Sequence, residues 1–296
     1  MWAALVTVYV LWGSTYLGIR VAVATIPPFL MAGARFMIAG LLLCAWRLPI
    51  AIRAGTPPTL GEWRRALVIG AALLLGGNGL VAFAETSVPS GIAALIVSVV
   101  PLWMALIDRI FYGRRISLPV FAGLAVGFGG VALLVWSPGH GAGSAVGSVA
   151  LVVGSLSWAA GSLYSRTAKL PGDLLLATGM EMLTGGVCLV VLGAALGEFA
   201  GLRLDAIAPA SWIAFGWLIL FGGIVGFVAY LWVIRNAPTS LVSTYAYVNP
   251  VVAVVLGWAV LHEQLTPRIA LAAAVIICAV AWIVSASARE RAYKDA

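Results

Sequence analysis

The feature of this sequence that most constrains its fold is an internal repeat. Glycine, proline and tryptophan residues of the second half recur at a fixed distance from matching residues of the first half, in the same order. At 146 residues the matches are Trp12 with Trp158, Gly33 with Gly179, Gly40 with Gly186, and Gly76 and Gly77 with Gly222 and Gly223; at 149 they are Pro89 with Pro238 and Pro101 with Pro250. We expect one structural unit written twice, with a site where the copies meet.

Composition places both copies in a membrane. Hydrophobic residues make up 63% of the chain and charged residues 9%, whereas a soluble domain carries about 25% charged residues. The three cysteines lie inside apolar stretches without the spacing of metal ligands, so we expect no metal, cofactor or disulfide. The net charge of +7 lies in short loops between apolar stretches, which is typical of membrane topology and not of nucleic-acid binding.

Ten apolar stretches are long enough to cross a bilayer, which takes about 20 residues of helix. Proline and glycine residues punctuate the breaks between them, and most connections are short. We number the stretches in chain order as segments one to ten; they cover about 2–24, 29–47, 64–86, 90–111, 118–137, 145–166, 173–196, 211–234, 239–260 and 267–287.

The basic residues orient these segments. With the N-terminus in the cytoplasm, 13 of the 17 lysine and arginine residues face inward, Arg20, Arg203 and Arg268 face outward, and Arg35 lies within a segment. Both termini are therefore expected on the cytoplasmic side of a bacterial inner membrane. Because each copy has five segments, the second copy enters the membrane from the opposite side. The predicted fold is an all-α membrane protein with ten transmembrane helices in two inverted five-helix repeats, 1–137 and 145–288, with a periplasmic linker 138–144 and a cytoplasmic tail 289–296.

Three motifs carry a family resemblance. The first segment of each copy has a tryptophan followed by a small residue, Trp12-Gly13 and Trp158-Ala159, and the fourth has a proline in mid-segment. A His-Glu-Gln-Leu-Thr turn, 262–266, follows segment nine. With two five-segment halves, the pattern resembles the drug/metabolite transporter superfamily in its EamA-type branch, and within it bacterial amino-acid exporters of the YddG type. The resemblance implies a substrate site among segments one, three, four, six, eight and nine, with segments two and seven at the periphery.

Segments one and six present matching faces. Tyr9, Trp12 and Tyr16 share one side of a helix, and at the repeat distance they become Ser155, Trp158 and Ser162. One copy thus offers aromatic rings and the other hydroxyl groups around matched tryptophans. We predict that Trp12, Trp158 and Ser162 bind substrate; the alternative is that these residues only pack helices together.

Segments four and nine each contain a proline in mid-membrane. Pro101 and Pro250 remove a helix hydrogen bond and free a carbonyl group four residues back. Such a group needs a protein or water partner in the membrane. The polar side chains nearby, Ser98, Tyr247 and Asn249, are therefore predicted to bind substrate. The alternative is an ordinary kink that a neighbouring helix satisfies.

Segments three and eight contain glycine clusters, which weaken a helix and permit bending. Close helix packing explains these glycines equally well. Asn78 adds an amide in mid-membrane, which is costly without a partner, so it is predicted either to hold a substrate's carboxylate or amine or to pin the bent helix. The predicted hinge residues are Gly76, Gly77, Pro101, Gly222, Gly223 and Pro250.

Two ionisable residues match within the segments, Arg35 in segment two and Glu181 in segment seven. Each is either a coupling charge or a scaffold residue that bonds backbone or headgroups, and the peripheral place that the resemblance implies favours the scaffold. The other charges near segment ends are predicted to be solvated or to snorkel to the membrane surface: Arg20, Glu85, Glu198 and Glu263.

These features favour a secondary transporter that works by alternating access. An intramembrane enzyme would need a nucleophile with its base, paired carboxylates or a metal cluster, and the sequence shows none. Aromatic walls with amides and hydroxyls suit a small zwitterion, so export of aromatic or apolar amino acids is the first expectation; another small metabolite or drug is the alternative. Without an evident cavity carboxylate, facilitated diffusion by a monomer is favoured slightly over proton antiport.

Overall fold

The computed structural model describes residues 2–113, 118–135, 144–236 and 245–294, which are helical apart from short turns. Within the described residues, seven segments each contain one helix: segments one, two, five, six, seven, nine and ten, with the helices Trp2–Ala22, Pro28–Arg53, Leu118–Val135, Ala145–Thr167, Leu174–Ala195, Tyr245–Leu261 and Pro267–Lys294. The first part of segment nine, before Tyr245, lies outside the described residues. Segment three comprises Leu60–Gly70, Ala71–Gly79 and Leu80–Ala84; segment four comprises Ser90–Val97 and Val100–Tyr112; segment eight comprises Pro209–Trp217, Leu218–Val225 and Gly226–Asn236. The prediction of an all-α protein is confirmed for the described residues.

The helices have the length and surface of membrane-spanning elements. Within the described residues eight are long and apolar enough to cross a membrane, and two shorter apolar helices, Leu118–Leu133 and Val248–Leu261, fall on segments five and nine. Large apolar side chains lie on the outside of the bundle. Three examples are more than half exposed: Trp46 at 57%, Ile213 at 74% and Trp282 at 60%. A surface of this kind suits contact with lipid, because exposure of so much apolar area to water would be unfavourable.

Segments three and eight change from α-helix to π-helix in mid-course. Ala71–Gly79 and Leu218–Val225 are the π-helical stretches, and each contains the predicted glycine cluster. They also overlap at the repeat distance of 146 residues. Both glycine clusters thus depart from regular α-helix at matching places in the two copies. Because π-turns are rare and concentrate at functional sites, these stretches are candidates for a functional region.

Segment four is interrupted just before its proline, whereas segment nine is not. The first helix of segment four ends at Val97 and the second begins at Val100, so that Pro101 stands in a first helical turn. A proline is tolerated in a first turn because the main-chain N–H groups there have no intrahelical acceptor, so the N–H that proline lacks is not missed. Pro250 instead lies inside the continuous helix Tyr245–Leu261. Within the described residues, Pro101 therefore coincides with a break whereas Pro250 does not.

Segments two and seven pack closely through glycines. A Cβ atom on Gly40 would lie 2.8 Å from the carbonyl oxygen of Gly179, and one on Gly186 would lie 2.9 Å from the carbonyl oxygen of Gly33. Because Gly33 matches Gly179 and Gly40 matches Gly186, each contact is the repeat image of the other. Small residues of this kind let membrane helices approach backbone to backbone.

We expect Gly40→Ala to destabilise the protein. The new Cβ would meet the main-chain nitrogen of Leu183 at 2.5 Å, and a helix backbone cannot rotate away as a side chain can. Overpacking of this kind costs about 1–3 kcal/mol, so the unfolding temperature in detergent should fall. Gly129→Ala is the matched control, since its Cβ would meet nothing within 4 Å. Equal unfolding temperatures for the two variants would contradict the close packing.

Two carboxylates at segment ends cap other helices. Glu198 accepts hydrogen bonds from the main-chain N–H groups of Phe29 (3.2 Å) and Leu30 (2.8 Å), where segment two begins. Glu263 accepts them from the N–H groups of Ser90 (2.6 Å) and Gly91 (3.0 Å), where segment four begins. Negative charge is favourable at a helix N-terminus. The prediction that both residues are simply solvated is therefore wrong.

Candidate functional site

Trp12 lies in an aromatic cluster between segments one, eight and nine. Its ring centroid is 4.7 Å from that of Tyr230 and 5.5 Å from that of Tyr245, and the two tyrosine rings are 5.7 Å apart. A Cβ atom on Gly226 would lie 2.7 Å from the indole Nε1, so the indole fills space that glycine leaves in segment eight. The aromatic face predicted for segment one is thus directed at other helices. Tyr230 and Tyr245 were not among the predicted residues, because their proximity depends on how three segments pack.

Trp158 packs against segment three in a comparable way. A Cβ atom on Gly77 would lie 2.8 Å from Cε3 of the indole. The neighbouring Ser157 donates a 2.8 Å hydrogen bond to the carbonyl oxygen of Ala72. Both contacts fall in the π-helical stretch Ala71–Gly79. Each predicted tryptophan therefore packs on a glycine within, or directly after, the π-helical stretch of the other copy.

Arg35 lies inside the bundle and bonds a predicted site residue. It is 5% exposed, and its Nη2 donates a 2.8 Å hydrogen bond to Oδ1 of Asn78. Its guanidinium carbon lies 4.3 Å from the ring centroid of Phe36, and its Nε has no hydrogen-bond partner among the described residues. The expectation that Arg35 bonds backbone or headgroups in a peripheral scaffold is wrong. The arginine in mid-segment was the available signal, and the family resemblance led away from it.

Glu181, the repeat match of Arg35, has a different environment. It is half-buried, and its main-chain carbonyl packs against Gly70 where segment seven crosses segment three. The symmetry of the two charges in the sequence is therefore not a symmetry of contacts.

Glu85 directly follows segment three and is completely buried, at 0% exposure. Arg20 of segment one donates a hydrogen bond to its main-chain carbonyl. Neither carboxyl oxygen of Glu85 has a hydrogen-bond partner among the described residues. The prediction of a solvated Glu85 is wrong because helices from other parts of the chain cover the end of its own segment. Arg20, also predicted to be solvated, is half-buried and engaged in this contact.

The polar residues of segments four and nine are buried, with different partners. The hydroxyl of Ser98 donates a 2.7 Å hydrogen bond to the carbonyl of Leu95, within its own helix. Asn249 is 9% exposed, and its Oδ1 has no hydrogen-bond partner among the described residues. The main-chain oxygen of Asn249 lies 3.1 Å from where a Cβ atom on Gly13 would be, which places Asn249 against segment one. The side chain of Tyr247 lies outside the described residues.

The serines of segment six and the remaining glycines have packing contacts. Ser155 accepts a 2.9 Å hydrogen bond from Nε1 of Trp103, whereas Ser162 is half-buried and its carbonyl accepts a hydrogen bond from the Ser165 hydroxyl. A Cβ atom on Gly222 would meet Thr15 at 3.0 Å, and one on Gly223 would meet Ala39 at 3.4 Å. One on Gly76 would collide with the Ser157 hydroxyl. Packing is thus close at Gly76 and Gly222 and ordinary at Gly223. The action of these glycines as hinges stays a prediction.

The structure brings the predicted residues together in two groups. The first group is the ring cluster of Trp12, Tyr230 and Tyr245 on segments one, eight and nine. Asn249 lies against segment one at Gly13, the residue after Trp12, and its amide oxygen has no hydrogen-bond partner among the described residues. The second group is on segments two, three and six: Arg35 donates to Asn78, and the Trp158 indole packs on Gly77, the residue before Asn78. Ring faces can hold an apolar side chain, an amide oxygen can accept from an ammonium group, and a guanidinium can bind a carboxylate.

Comparisons with known proteins identify a transporter family and similar membrane proteins. The EamA-like transporter family model matches residues 1–136 and 145–285. The chain is 41% identical over 282 residues to the inner membrane transporter YedA of Escherichia coli (strain K12), which covers 95% of this chain and 89% of YedA. It is 27% identical over 140 residues to a probable terminal-alkyne amino-acid exporter of Streptantibioticus cattleyicolor, covering 47% of this chain and 46% of that one. A crystal structure at 20% identity has the same fold, with a TM-score of 0.64 over 97% of both chains.

The family model spans nearly the whole chain, and the fold supplies several helices that can cross a membrane. An inner membrane transporter is similar over almost the full length. The chain therefore belongs to the EamA-like transporter family and is a membrane transporter.

Proposed function

We propose that this transporter exports small amino acids, chiefly aromatic or apolar ones, from the bacterial cytoplasm by alternating access. The observation that carries the proposal is the buried Arg35 bonded to Asn78. A guanidinium in an apolar bundle favours a carboxylate partner, which it binds through two parallel hydrogen bonds. The Oδ1 of Asn249, which has no hydrogen-bond partner among the described residues, is an acceptor for an ammonium group, and the tryptophans provide apolar walls. A zwitterion with an apolar side chain meets all three requirements.

The amino-acid exporter of Streptantibioticus cattleyicolor supports the same substrate class, since it is similar to about half of this chain. So does the narrower resemblance to exporters of the YddG type. The second candidate is export of another small metabolite or a drug, and a lipophilic cation in particular. Its supporting observation is the buried carboxyl group of Glu85, which has no hydrogen-bond partner among the described residues.

Counterflow in liposomes tests the substrate class. Vesicles that contain the purified protein and are loaded with unlabelled phenylalanine or leucine should take up the labelled amino acid in a saturable manner. Arg35→Gln should weaken this uptake, because a neutral amide replaces the guanidinium that binds the substrate's carboxylate. Arg203→Gln is the control, since that arginine pairs with Asp205 on the exposed surface. Counterflow of tetraphenylphosphonium without counterflow of any amino acid would favour the second candidate.

We also propose that the ten segments all span the membrane, as inverted repeats 1–137 and 145–288 with both termini in the cytoplasm. The reciprocal contacts of Gly33 with Gly186 and of Gly40 with Gly179 support a two-fold relation between segments two and seven. The charge split of 13 basic residues inside to three outside supports the orientation. An impermeant thiol reagent added to cells should label a cysteine at Leu204 and spare one at Pro57. Protection of Leu204→Cys, or labelling of Pro57→Cys, would contradict this topology.

The moving parts of the proposed cycle are two helical hairpins in a monomer. Segments three and four form one hairpin and segments eight and nine the other, and each contains a π-helical stretch. The proposed hinges are Gly76, Gly77 and Pro101 in the first hairpin and Gly222, Gly223 and Pro250 in the second. A few such positions can absorb the backbone change of a gate. The first hairpin opens and closes the periplasmic side, which we call the outer end.

A further inference from the structure

The carboxyl group of Glu85 is buried at the outer end, and in the part of the chain that the structure describes it has no hydrogen-bond partner. Glu85 opens the turn 85–89 between segments three and four, at the tip of the first hairpin. Its side chain is 0% exposed, and neither oxygen accepts or donates a hydrogen bond among the described residues. Burial of an ionised carboxylate without hydrogen bonds is strongly unfavourable. The neutral, protonated form is therefore favoured in this packing.

The charged and titratable groups around Glu85 come from three parts of the chain. Segment six also packs on this part of segment three, and its outer half, 145–156, contains no titratable residue. The groups that face Glu85 are Tyr16 and Arg20 on segment one, Arg35 on segment two, and Glu263 in the turn after segment nine.

The charged neighbours already have other partners. Arg20 donates to the main-chain carbonyl of Glu85, and Arg35 donates to Asn78. Glu263 accepts from the start of segment four, at Ser90 and Gly91. Two cations and one further anion thus stand near the Glu85 carboxyl group, and none of them bonds it. This packing therefore favours a neutral carboxyl group at Glu85, although charged groups that bond elsewhere lie near it.

We propose that Glu85 is a proton-binding site that must be occupied for the outer end of the transporter to close. The inference rests on the proposed function only in assuming an outer end that opens and closes. When the turn 85–89 moves outward, water reaches the carboxyl group, which ionises at neutral pH as exposed glutamates do. Closure returns it to a place without partners, so a proton is taken up from the periplasmic side.

The direction of the pH effect follows from this. The closed form binds the proton more tightly than the open form, so acid stabilises closure and the closed form is lost as pH rises. An ionised Glu85 would also attract Arg35, the residue that donates to Asn78. The sequence alone did not show that this carboxyl group is buried. Its burial weakens the argument for facilitated diffusion over proton-linked transport.

The test measures outer opening in the complete protein in nanodiscs. The reporter is Val88→Cys, at a position that is 0% exposed in the same turn, in a background without Cys44, Cys188 and Cys278. Its rate of reaction with a maleimide is divided by that of Thr86→Cys, which is exposed in the same turn, so that the pH dependence of the thiol itself cancels. An equilibrium linked to one proton changes by up to about tenfold per pH unit.

We expect the ratio to rise about tenfold or more between about pH 5 and about pH 8. Glu85→Gln should make it low and independent of pH, whereas Glu85→Asp should keep the dependence. Glu198→Gln is the matched control, because Glu198 is an outer carboxylate that is fully hydrogen-bonded, and it should behave like the unaltered protein.

A ratio that does not change with pH in the unaltered protein would overturn the proposal, even if Glu85→Gln fails to fold. So would an undiminished pH dependence in a folded Glu85→Gln variant. Counterflow of amino acids with a flat ratio refutes the proton site and leaves the proposed function intact. A pH-dependent ratio without amino-acid counterflow supports the proton site and refutes the substrate class.

Discussion

Oxidation of a cysteine pair at Ser87 and Ser144 is expected to stop transport. The two hydroxyl oxygens lie 2.9 Å apart, and Ser144 also caps segment six through the N–H of Gly147. Side chains this close suit the short Cβ–Cβ distance of a disulfide. The bond would tie the tip of the first hairpin to the start of segment six and so hold the outer end closed. Counterflow should fall by about tenfold or more, because the open form is no longer populated, and a reducing agent should restore it.

A second hydroxyl pair provides the control for this crosslink. Thr25 and Ser211 lie 2.8 Å apart and join the end of segment one to the start of segment eight. In the hairpin mechanism this contact persists, since the hinge at Gly222 and Gly223 lies between Ser211 and the moving tip. The disulfide at Thr25 and Ser211 should therefore leave counterflow unchanged. Full counterflow with the bond between positions 87 and 144 formed would eliminate the rocking hairpin.

Trp158→Ala is expected to reduce substrate affinity strongly. The indole packs on Gly77, and the next residue, Asn78, accepts the hydrogen bond of Arg35. We place the substrate at this part of segment three. Loss of an aromatic wall costs about 1–3 kcal/mol, or roughly a 5- to 200-fold weaker affinity. The concentration of phenylalanine that gives half-maximal counterflow should rise accordingly, and less for amino acids with small side chains.

The control for this substitution is Trp282→Ala, which removes an indole that is 60% exposed on the outside of the bundle. It should leave transport unchanged. Trp158→Phe retains a ring and should recover much of the affinity. If Trp158→Ala folds and transports normally, the tryptophan only packs segment six against segment three, and the substrate binds elsewhere.

The sequence predicted the helices well because hydropathy within one segment is a local property. It also located the special backbone of segments three and four, since glycine and proline act on their own helix: Gly76 and Gly77 lie in a π-helical stretch and Pro101 follows a break. Pro250 shows the limit of this inference, because the same residue type sits in an unbroken helix.

The buried charges could not be predicted in the same way. Arg35 and Glu85 owe their environment to neighbouring segments, which no pattern within segments two and three describes. Distance from a segment end is a poor guide to solvation when another helix covers that end. Position in the membrane and position in the bundle are separate quantities, and only the first can be obtained from hydropathy.

The π-helical stretches have a consequence for how residues are assigned to helix faces. An α-helix turns by about 100° per residue. Each extra residue that a wider π-turn contains therefore shifts the following residues by about 100° around the helix axis, compared with a regular α-helix. A helical wheel drawn through segment three therefore misplaces Leu80–Ala84, and Glu85 with them. Deletion of one residue from Ala71–Gly79 would rewind the segment toward regular α-helix and swing Glu85 out of its present surroundings without any change in the side chain itself. In this protein the orientation of the buried acid is encoded in the length of a glycine-containing stretch several residues before it.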